Sequence, residues 1–430
     1  MTIVREKYIA DLKIRMNNGL IKVVTGIRRS GKSYLLFNLF YQFLKDSGAK
    51  DRQIIKIALD DDRNKDLRNA ANLSAFIRKR VKNPKKQYYI LLDEIQLAIT
   101  AEEYRHPELP MNIFDVLNGL LHIPNADVYV TGSNSRFLSR DILTEFRGRG
   151  DEIHVLPLSF GEFSRHYDGD VYHAWADYAI YGGLPLVLSM QTDEQKATYL
   201  KNLFAETYIK DIIERNNIEK NHILEDLINI LASSAGSLTN PTKIAQTFGS
   251  VLHSSVSVNT LIKFIDSLKD AFIITEVNRY DVKGRKYIGS PSKYYFEDIG
   301  LRNARLNFRQ VEETHIMETV VYNELRYRGY NVDIGVVEKR AKDKDGKDRR
   351  NHYEIDFIAN RGSSRYYIQS ALTLASPEKE AQEKFSLRNA DDSFKKIVIV
   401  KDIIKPQRDD DGILTIGLFD FLQNPHSLDD

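Results

Sequence analysis

Eight residues near the amino terminus, GIRRSGKS at Gly26–Ser33, constrain the fold of this chain more than any other segment. They fit the spacing G-x-x-x-x-G-K-[ST], follow the short apolar run Ile21–Thr25, and lead into YLLFNLFYQFLKDSG. There Leu35, Leu36, Leu39, Phe40, Phe43 and Leu44 recur at helical spacing and Gly48 supplies a stop. A strand, tight loop and helix in this order make a phosphate cradle. Gly26 and Gly31 permit the positive-φ turns that aim backbone N–H groups inward. Lys32 reaches the outer phosphate oxygens, and Ser33 places a hydroxyl on Mg²⁺. The positive end of the following helix faces the same anion. Ile27, Arg28, Arg29, Ser30 and Tyr34 complete the expected nucleotide-contacting set.

Further apolar runs, Ile54–Leu59, Tyr88–Leu92, Val128–Thr131 and Ile153–Leu158, are too short for helices and β-branched or aromatic-rich. With helical patterns between them they predict βαβ units and a parallel sheet buried on both faces. YYILLDEIQ, Tyr88–Gln96, ends such a strand in two acids at the carboxyl edge where α/β ligands sit. Asp93 is expected to hold the hydration shell of Mg²⁺, and Glu94 to orient and polarise an attacking water. The NKD triplet Asn64–Asp66 resembles a guanine-reading motif, but Leu67 follows it and it precedes the Asp-Glu strand, so the nucleotide expected is ATP, not GTP.

VYVTGSNSRF, Val128–Phe137, is a third strand ending in polar residues. Inserted between the loop strand and the Asp-Glu strand, it would bring Asn134, or Ser133, beside the terminal phosphate. At this point the chain resembles the AAA+ ATPases, whose sensor-1 polar residue occupies that strand end. The resemblance extends to TEFRGRGDEIHVLPLSFGEF, Thr144–Phe163. AAA+ proteins carry an arginine finger just before the fifth strand that reaches a neighbouring subunit. Arg149 is the residue implied, with Arg147 matching next by position, and a homo-oligomer follows. Arg165 and Arg215 match the sensor-2 arginine only by region.

With YGGLP, KYYFEDIGLRNA and YEIDFIAN, nearly the whole chain resembles a prokaryotic AAA ATPase subgroup with a C-terminal restriction-endonuclease-like domain. The implied fold class is α/β: a P-loop AAA+ core over residues 1–160, a helical lid over 161–223, a winged helix over 224–300, and a degenerate endonuclease-like α/β domain over 301–430. The winged helix would offer DNA Ser255, Asn259 and Lys263 from its recognition helix, and Arg279, Lys283, Arg285 and Lys286 from its wing. In active members of the endonuclease fold, two acids bind a metal and a lysine activates water. Here Glu318, Glu354 and Asp356 are acids, but Gln369 stands at the second-acid position and Ala371 at the lysine position. That is a poor phosphodiesterase site.

Composition narrows what such a chain acts on. Lys and Arg total 62 against 60 Asp and Glu, a net charge of +2, so nucleic acid must meet a local basic patch. Zero cysteines exclude disulfides, thiolate metal sites and cysteine nucleophiles. No run reaches the roughly 20 apolar residues of a membrane helix, and MTIVREKYIADLK lacks the apolar core of a signal peptide. A cytoplasmic, Mg²⁺-dependent ATPase acting on DNA or a protein partner is the expectation. The alternatives are an ATP-holding switch with negligible turnover and an ATP-gated, metal-dependent nuclease.

Overall fold

The computed structural model describes residues 2–100, 102–103, 112–132, 148–216, 218, 221–342 and 348–429. They form two compact units, residues 1–157 with 270–272, and residues 158–269 with 273–430. Among the described residues no helix is long and apolar enough to cross a membrane.

The first unit is built on a five-stranded parallel sheet in the order β2-β3-β4-β1-β5. The strands are β1 (Ile21–Thr25), β2 (Ile54–Ala58), β3 (Tyr88–Asp93), β4 (Ala126–Thr131) and β5 (Gly150–His154). The predicted runs are mostly apolar at successive positions because helices cover both faces of the sheet. Leu73 and Ile77 of one helix (α3, Ala70–Arg80) and Ile113, Phe114, Leu117 and Leu120 of another (α4, Asn112–Leu120) pack with Ile55, Ile57, Ile90, Leu92, Val128 and Val130. A helical stretch over 32–46 (α2), with a π-helical segment at Leu35–Phe40, brings Phe40 within 4.8 Å of the Tyr129 ring. The first helix (α1, Glu6–Ile14) completes the unit.

The fifth strand lies earlier than its apolar run, Ile153–Leu158, suggests. Register with β1 begins at Ile21↔Gly150 and ends at Thr25↔His154. One more bond, Val155 N–H to Thr25 O at 2.8 Å, follows before β1 turns away into the phosphate loop. Val155, Leu156 and Leu158 are nonetheless buried. Apolarity marks burial there, while pairing ends where the partner ends.

The second unit carries an eight-stranded mixed sheet, completed by β11 (Lys395–Val400), β12 (Gln407–Arg408) and β13 (Leu414–Gly417), in the order β12-β13-β11-β10-β9-β8-β6-β7. Its central strands are β8 (Asn331–Lys342), β9 (Asp348–Arg361) and β10 (Ser364–Ala371), and a buried helix, Glu313–Tyr327, stacks Tyr322 on Tyr295 at 4.3 Å. Residues 338–342 and 348–351, rich in charge, are paired strand.

The expected wing is corrected by its pairing. Its strands, β6 (Ile274–Asp281) and β7 (Lys286–Phe296), are the end of the large sheet, because β6 pairs in parallel with β8 from Arg279↔Ile334 to Asp281↔Val336. Arg279 lies in paired strand and Lys286 starts the second strand, so only 282–285 form a turn, closed by Gly284 N–H on Asp281 Oδ1 at 2.9 Å. Three helices precede this hairpin, at Asn221–Ser233, Pro241–Ser250 and Val258–Asp270.

YGGLP and EDIGLRN, distinctive in sequence, meet as a structural joint. Buried Asp298 accepts from Gly183 N–H at 2.8 Å and Leu301 N–H at 3.0 Å, and Asn303 donates to Ala179 O and Ile180 O.

Candidate nucleotide site

The loop Gly26–Ser33 lies at the carboxyl end of β1 and opens α2. Gly26 has φ 133° and Gly31 φ 97°, as the phosphate-cradle reading requires. Gly26 is also needed for close approach, since a Cβ there would lie 2.2 Å from Val155 O. Arg29 is exposed at φ 65°, Arg28 is half-buried, and Ile27 is fully buried. Tyr34 is exposed on the first turn of the helix. Lys32 is buried, and its ammonium donates to Gly26 O at 2.9 Å and Ile27 O at 2.8 Å. Ser30 is fully buried with its Oγ lacking a partner among the described residues.

β3 delivers Asp93 to this loop. Its Oδ1 accepts from Ser33 Oγ at 3.0 Å and from Thr131 Oγ1 at the end of β4. Burial pushes the Asp93 carboxyl above its ordinary range, against the pull of the Thr131 and Ser33 hydrogen bonds. A buried carboxylate beside a hydroxyl, both hard oxygen donors, is a set that fits Mg²⁺ when phosphate oxygens and water fill the remaining positions. The orphaned Ser30 Oγ and the inward Lys32 ammonium fit the phosphates themselves.

Glu94 follows at φ 54°, a left-handed conformation that a non-glycine residue holds only under constraint. Its N–H donates to Thr131 Oγ1 at 3.1 Å, and its Oε2 accepts from Gln96 Nε2. Gln96 is buried and its own Oε1 has no partner among the described residues.

Three contributors escaped the reading of the sequence. Thr131 is the last residue of its strand, two residues before Ser133. Gln96 lay inside the quoted motif without a role. Arg5, buried in front of α1, donates to Ser30 O at 3.0 Å and Leu156 O at 2.8 Å, tying the phosphate loop to the chain after β5. A buried arginine far away in sequence leaves no local pattern.

Ser133, Asn134, Arg147 and the side chain of Arg215 lie outside the described residues. Arg149 is exposed just before β5, and its carbonyl accepts from Ile21 N–H at 2.9 Å. Arg165 donates to Gly161 O at 3.0 Å.

The acids of the second unit surround a lysine. Lys293 Nζ lies 2.8 Å from Glu318 Oε1 and 2.6 Å from Glu354 Oε1, and Tyr295 OH donates to the same Glu318 oxygen at 2.6 Å. Burial disfavours the ammonium, yet Glu318, Asp356 and Glu354 raise the Lys293 pKa above its ordinary value. Asp356 is raised well above the carboxylate range, by burial first and by the Glu318 charge second. Its Oδ2 accepts from Ser370 N–H at 2.8 Å. Among the described residues no group of three or more acids or histidines is arranged to hold a metal ion.

A family model described as an AAA domain matches residues 18–164, and one described as a domain of unknown function (DUF8612) matches residues 172–312. An uncharacterized protein of Haemophilus influenzae is 31% identical over 423 residues, covering 97% of this chain and 98% of that protein. An uncharacterized protein of Methanocaldococcus jannaschii is 27% identical over 392 residues, covering 87% and 79%. Among solved structures, the Aeropyrum pernix ORC1 protein in complex with DNA matches at 13% identity and TM-score 0.29, covering 71% of this chain and 93% of that one. Cdc6p from Pyrobaculum aerophilum matches at 11% and 0.29, covering 74% and 94%.

Proposed function

We propose, from the premise that the chain belongs to the family of its Haemophilus influenzae relative and carries an AAA domain, that it binds Mg²⁺ and ATP at Gly26–Ser33 and hydrolyses the nucleotide. The observation that carries this reading is the meeting of Ser33 and Asp93, brought from α2 and β3 to a 3.0 Å hydrogen bond beside the phosphate loop. ATP with Mg²⁺ supplies the phosphoryl group and the charge that neutralises it. Lys32 exchanges its two loop carbonyls for phosphate oxygens, a like-for-like trade of acceptors that gains charge complementarity. Ser33 and Asp93 offer their oxygens to the cation, and Thr131 keeps Asp93 aimed. Glu94 orients water and draws off its proton. Asn134 is assigned to the terminal phosphate, and Arg149 to a neighbouring subunit's site, which makes the active form a homo-oligomer. The four expected segments divide the labour in the same reading: core, lid, winged helix and endonuclease-like domain. Turnover would drive rearrangement of DNA or a bound protein.

One observation favours the switch alternative, in which ATP is held with negligible turnover. Glu94 is engaged by the Gln96 amide, and a hydrogen bond to a charged group is worth about 1.5–3 kcal/mol. Unless nucleotide releases it, that bond slows water activation by roughly 10- to 100-fold.

The test separates the two. Lys32→Ala should abolish ATP binding. Glu94→Gln should bind ATP but turn it over at least ~10²-fold more slowly, the usual size of a lost general base. Equal turnover in wild type and Glu94→Gln removes hydrolysis at this site and leaves the switch.

A further inference from the structure

Helix α3 ends in a run of cations that the nucleotide site does not use. Residues 78–86 read RKRVKNPKK, with Arg78, Lys79, Arg80, Lys82, Lys85 and Lys86 and no acid, in a chain whose net charge is only +2. All but Lys86, which is half-buried, are exposed. Among the described residues none of the six pairs with a carboxylate. Cations in the last turn of a helix have an ordinary explanation, the negative end of its dipole, and that suffices for Arg78, Lys79 and Arg80. It does not reach Lys82, Lys85 and Lys86, which follow the helix.

Those three are carried on a fixed frame. Asn125 Nδ2 donates to Asn83 O at 3.0 Å and to Lys86 O at 2.7 Å. Lys85 N–H donates to Asn83 Oδ1 at 2.9 Å, and Lys86 N–H to Asn83 O at 3.1 Å. Arg80 is braced over the Phe76 ring at 4.3 Å, and Arg78 donates to Gly119 O at 3.0 Å. The backbone under the charges is therefore already ordered, so little entropy is lost when an anion binds.

The surface has charge and no apolar anchor. Phe76 and Val81 pack inward against the core, and no large hydrophobic residue between Ala70 and Leu92 is exposed. A protein partner is ordinarily gripped by buried aromatic or aliphatic anchors. A polyphosphate backbone needs only spaced cations. The expected winged-helix surface compares poorly, since its recognition helix, Val258–Asp270, exposes Ile262 beside Asn259 and Lys263. The basic segment also enters β3 at its amino end, whereas Asp93 ends that strand, roughly 20 Å away at ~3.3 Å per residue. Nucleotide and polyanion do not compete for space.

We propose that residues 78–86 form a surface for the phosphate backbone of duplex nucleic acid, bound without reading sequence. This does not rest on hydrolysis at Asp93–Glu94. The experiment is anisotropy of a labelled random-sequence DNA duplex with the full chain, between about 50 and 200 mM salt. The variant replaces Lys79, Lys82, Lys85 and Lys86 together by Gln. Loss of phosphate contacts should flatten the slope of log affinity against log salt by about 0.9 per contact, and weaken binding at least ~10-fold at the low-salt end. Melting temperature and ATP binding should stay at wild-type values, which separates failure here from failure of the nucleotide site. The parallel variant Lys263→Gln/Lys283→Gln/Lys286→Gln should keep the wild-type slope. Three results would overturn the proposal: no duplex binding by wild type at low salt, a slope lost in the second variant and kept in the first, or polyglutamate binding with equal affinity and equal sensitivity to the first variant.

Discussion

Gly26→Ala tests the geometry of the phosphate loop without touching a charged or hydrogen-bonding side chain. Gly26 sits at φ 133°, and an added Cβ would lie 2.2 Å from Val155 O and 3.1 Å from Val155 C. Val155 is not free to retreat, because its N–H donates to Thr25 O at 2.8 Å and the strand before it is in register with β1. Two costs add: about 1–3 kcal/mol for an L-residue in a sparsely populated backbone region, and about 1–3 kcal/mol for overpacking. The expected loss is about 2–6 kcal/mol against a typical total of roughly 5–15 kcal/mol. The fold should survive with a displaced loop. Gly48→Ala is the matched control, since Gly48 has φ +94° with nothing within 4 Å of its Cβ position. It carries the conformational cost alone. Thermal unfolding should show the larger drop for Gly26→Ala, at roughly 2–4 °C per kcal/mol for a unit of this size. A fluorescent ATP analogue should bind the Gly48 variant like wild type and the Gly26 variant weakly. Equal destabilisation by both, with nucleotide binding intact in both, refutes the close approach and the cradle built on it.

Arg149→Ala should cut hydrolysis by ~10³-fold or more if the side chain acts across a subunit boundary, while ATP affinity holds. Mixing that variant with Lys32→Ala should restore part of the activity, and a wild-type rate per subunit independent of concentration in a monomer contradicts the role. The second unit should not cut nucleic acid with Mg²⁺ or Mn²⁺, with or without ATP, because the Lys293 ammonium already bridges Glu318 and Glu354. Plasmid cleavage by wild type that disappears in Asp356→Ala would restore the ATP-gated nuclease alternative. Asp298 should make stability pH-dependent: burial pushes its carboxyl up to about 6, against about 4 unfolded, so the folded state holds the extra proton between those values. Its contribution is full below about pH 4 and is lost as pH rises through about 6, by roughly 3 kcal/mol. Unfolding midpoints of wild type and Asp298→Asn across that window check it, and parallel pH profiles would exclude the burial cost.

The inner strands of the first unit, β1, β3 and β4, were legible because they are buried almost throughout, so local composition and tertiary fate agree. Ile21–Thr25 matches to the residue. Disagreement begins where pairing depends on a distant partner. β5 ends at His154 because β1 ends at Thr25, although the apolar run continues to Leu158. The hairpin after the third short helix looked like a wing because Gly284, Lys283 and Arg285 make a plausible loop. Its fate was decided instead by β8, more than 50 residues later, which recruits β6 into a parallel pair. A parallel pairing partner that far along the chain leaves no trace in the local hydrophobic period.

The candidate site divides along the same line. The residues proposed to meet the nucleotide, Gly26, Lys32, Ser33, Asp93 and Glu94, could be picked out because backbone turn, helix start and strand end set their positions locally. Those that act by closing distances could not. Arg5 reaches Ser30 O and Leu156 O across 25 and 151 residues, and Lys293 reaches Glu318 and Glu354 from another strand. The second case changes the chemistry inferred. In the sequence the acids Glu318, Glu354 and Asp356 stood without a cation, and their incompetence was argued from Gln369 and Ala371. In the fold the cation is present, as a side chain. Breaking a buried pair of this kind costs about 3–5 kcal/mol, because it strands a charge away from water. Lys293→Met should therefore destabilise the second unit by that amount in urea unfolding. A metal that displaced Lys293 would have to meet the same cost before it gained anything. If Mg²⁺ rescued the stability of Lys293→Met to wild-type levels, the acids would be a metal site held shut by a lysine, not a closed ionic core.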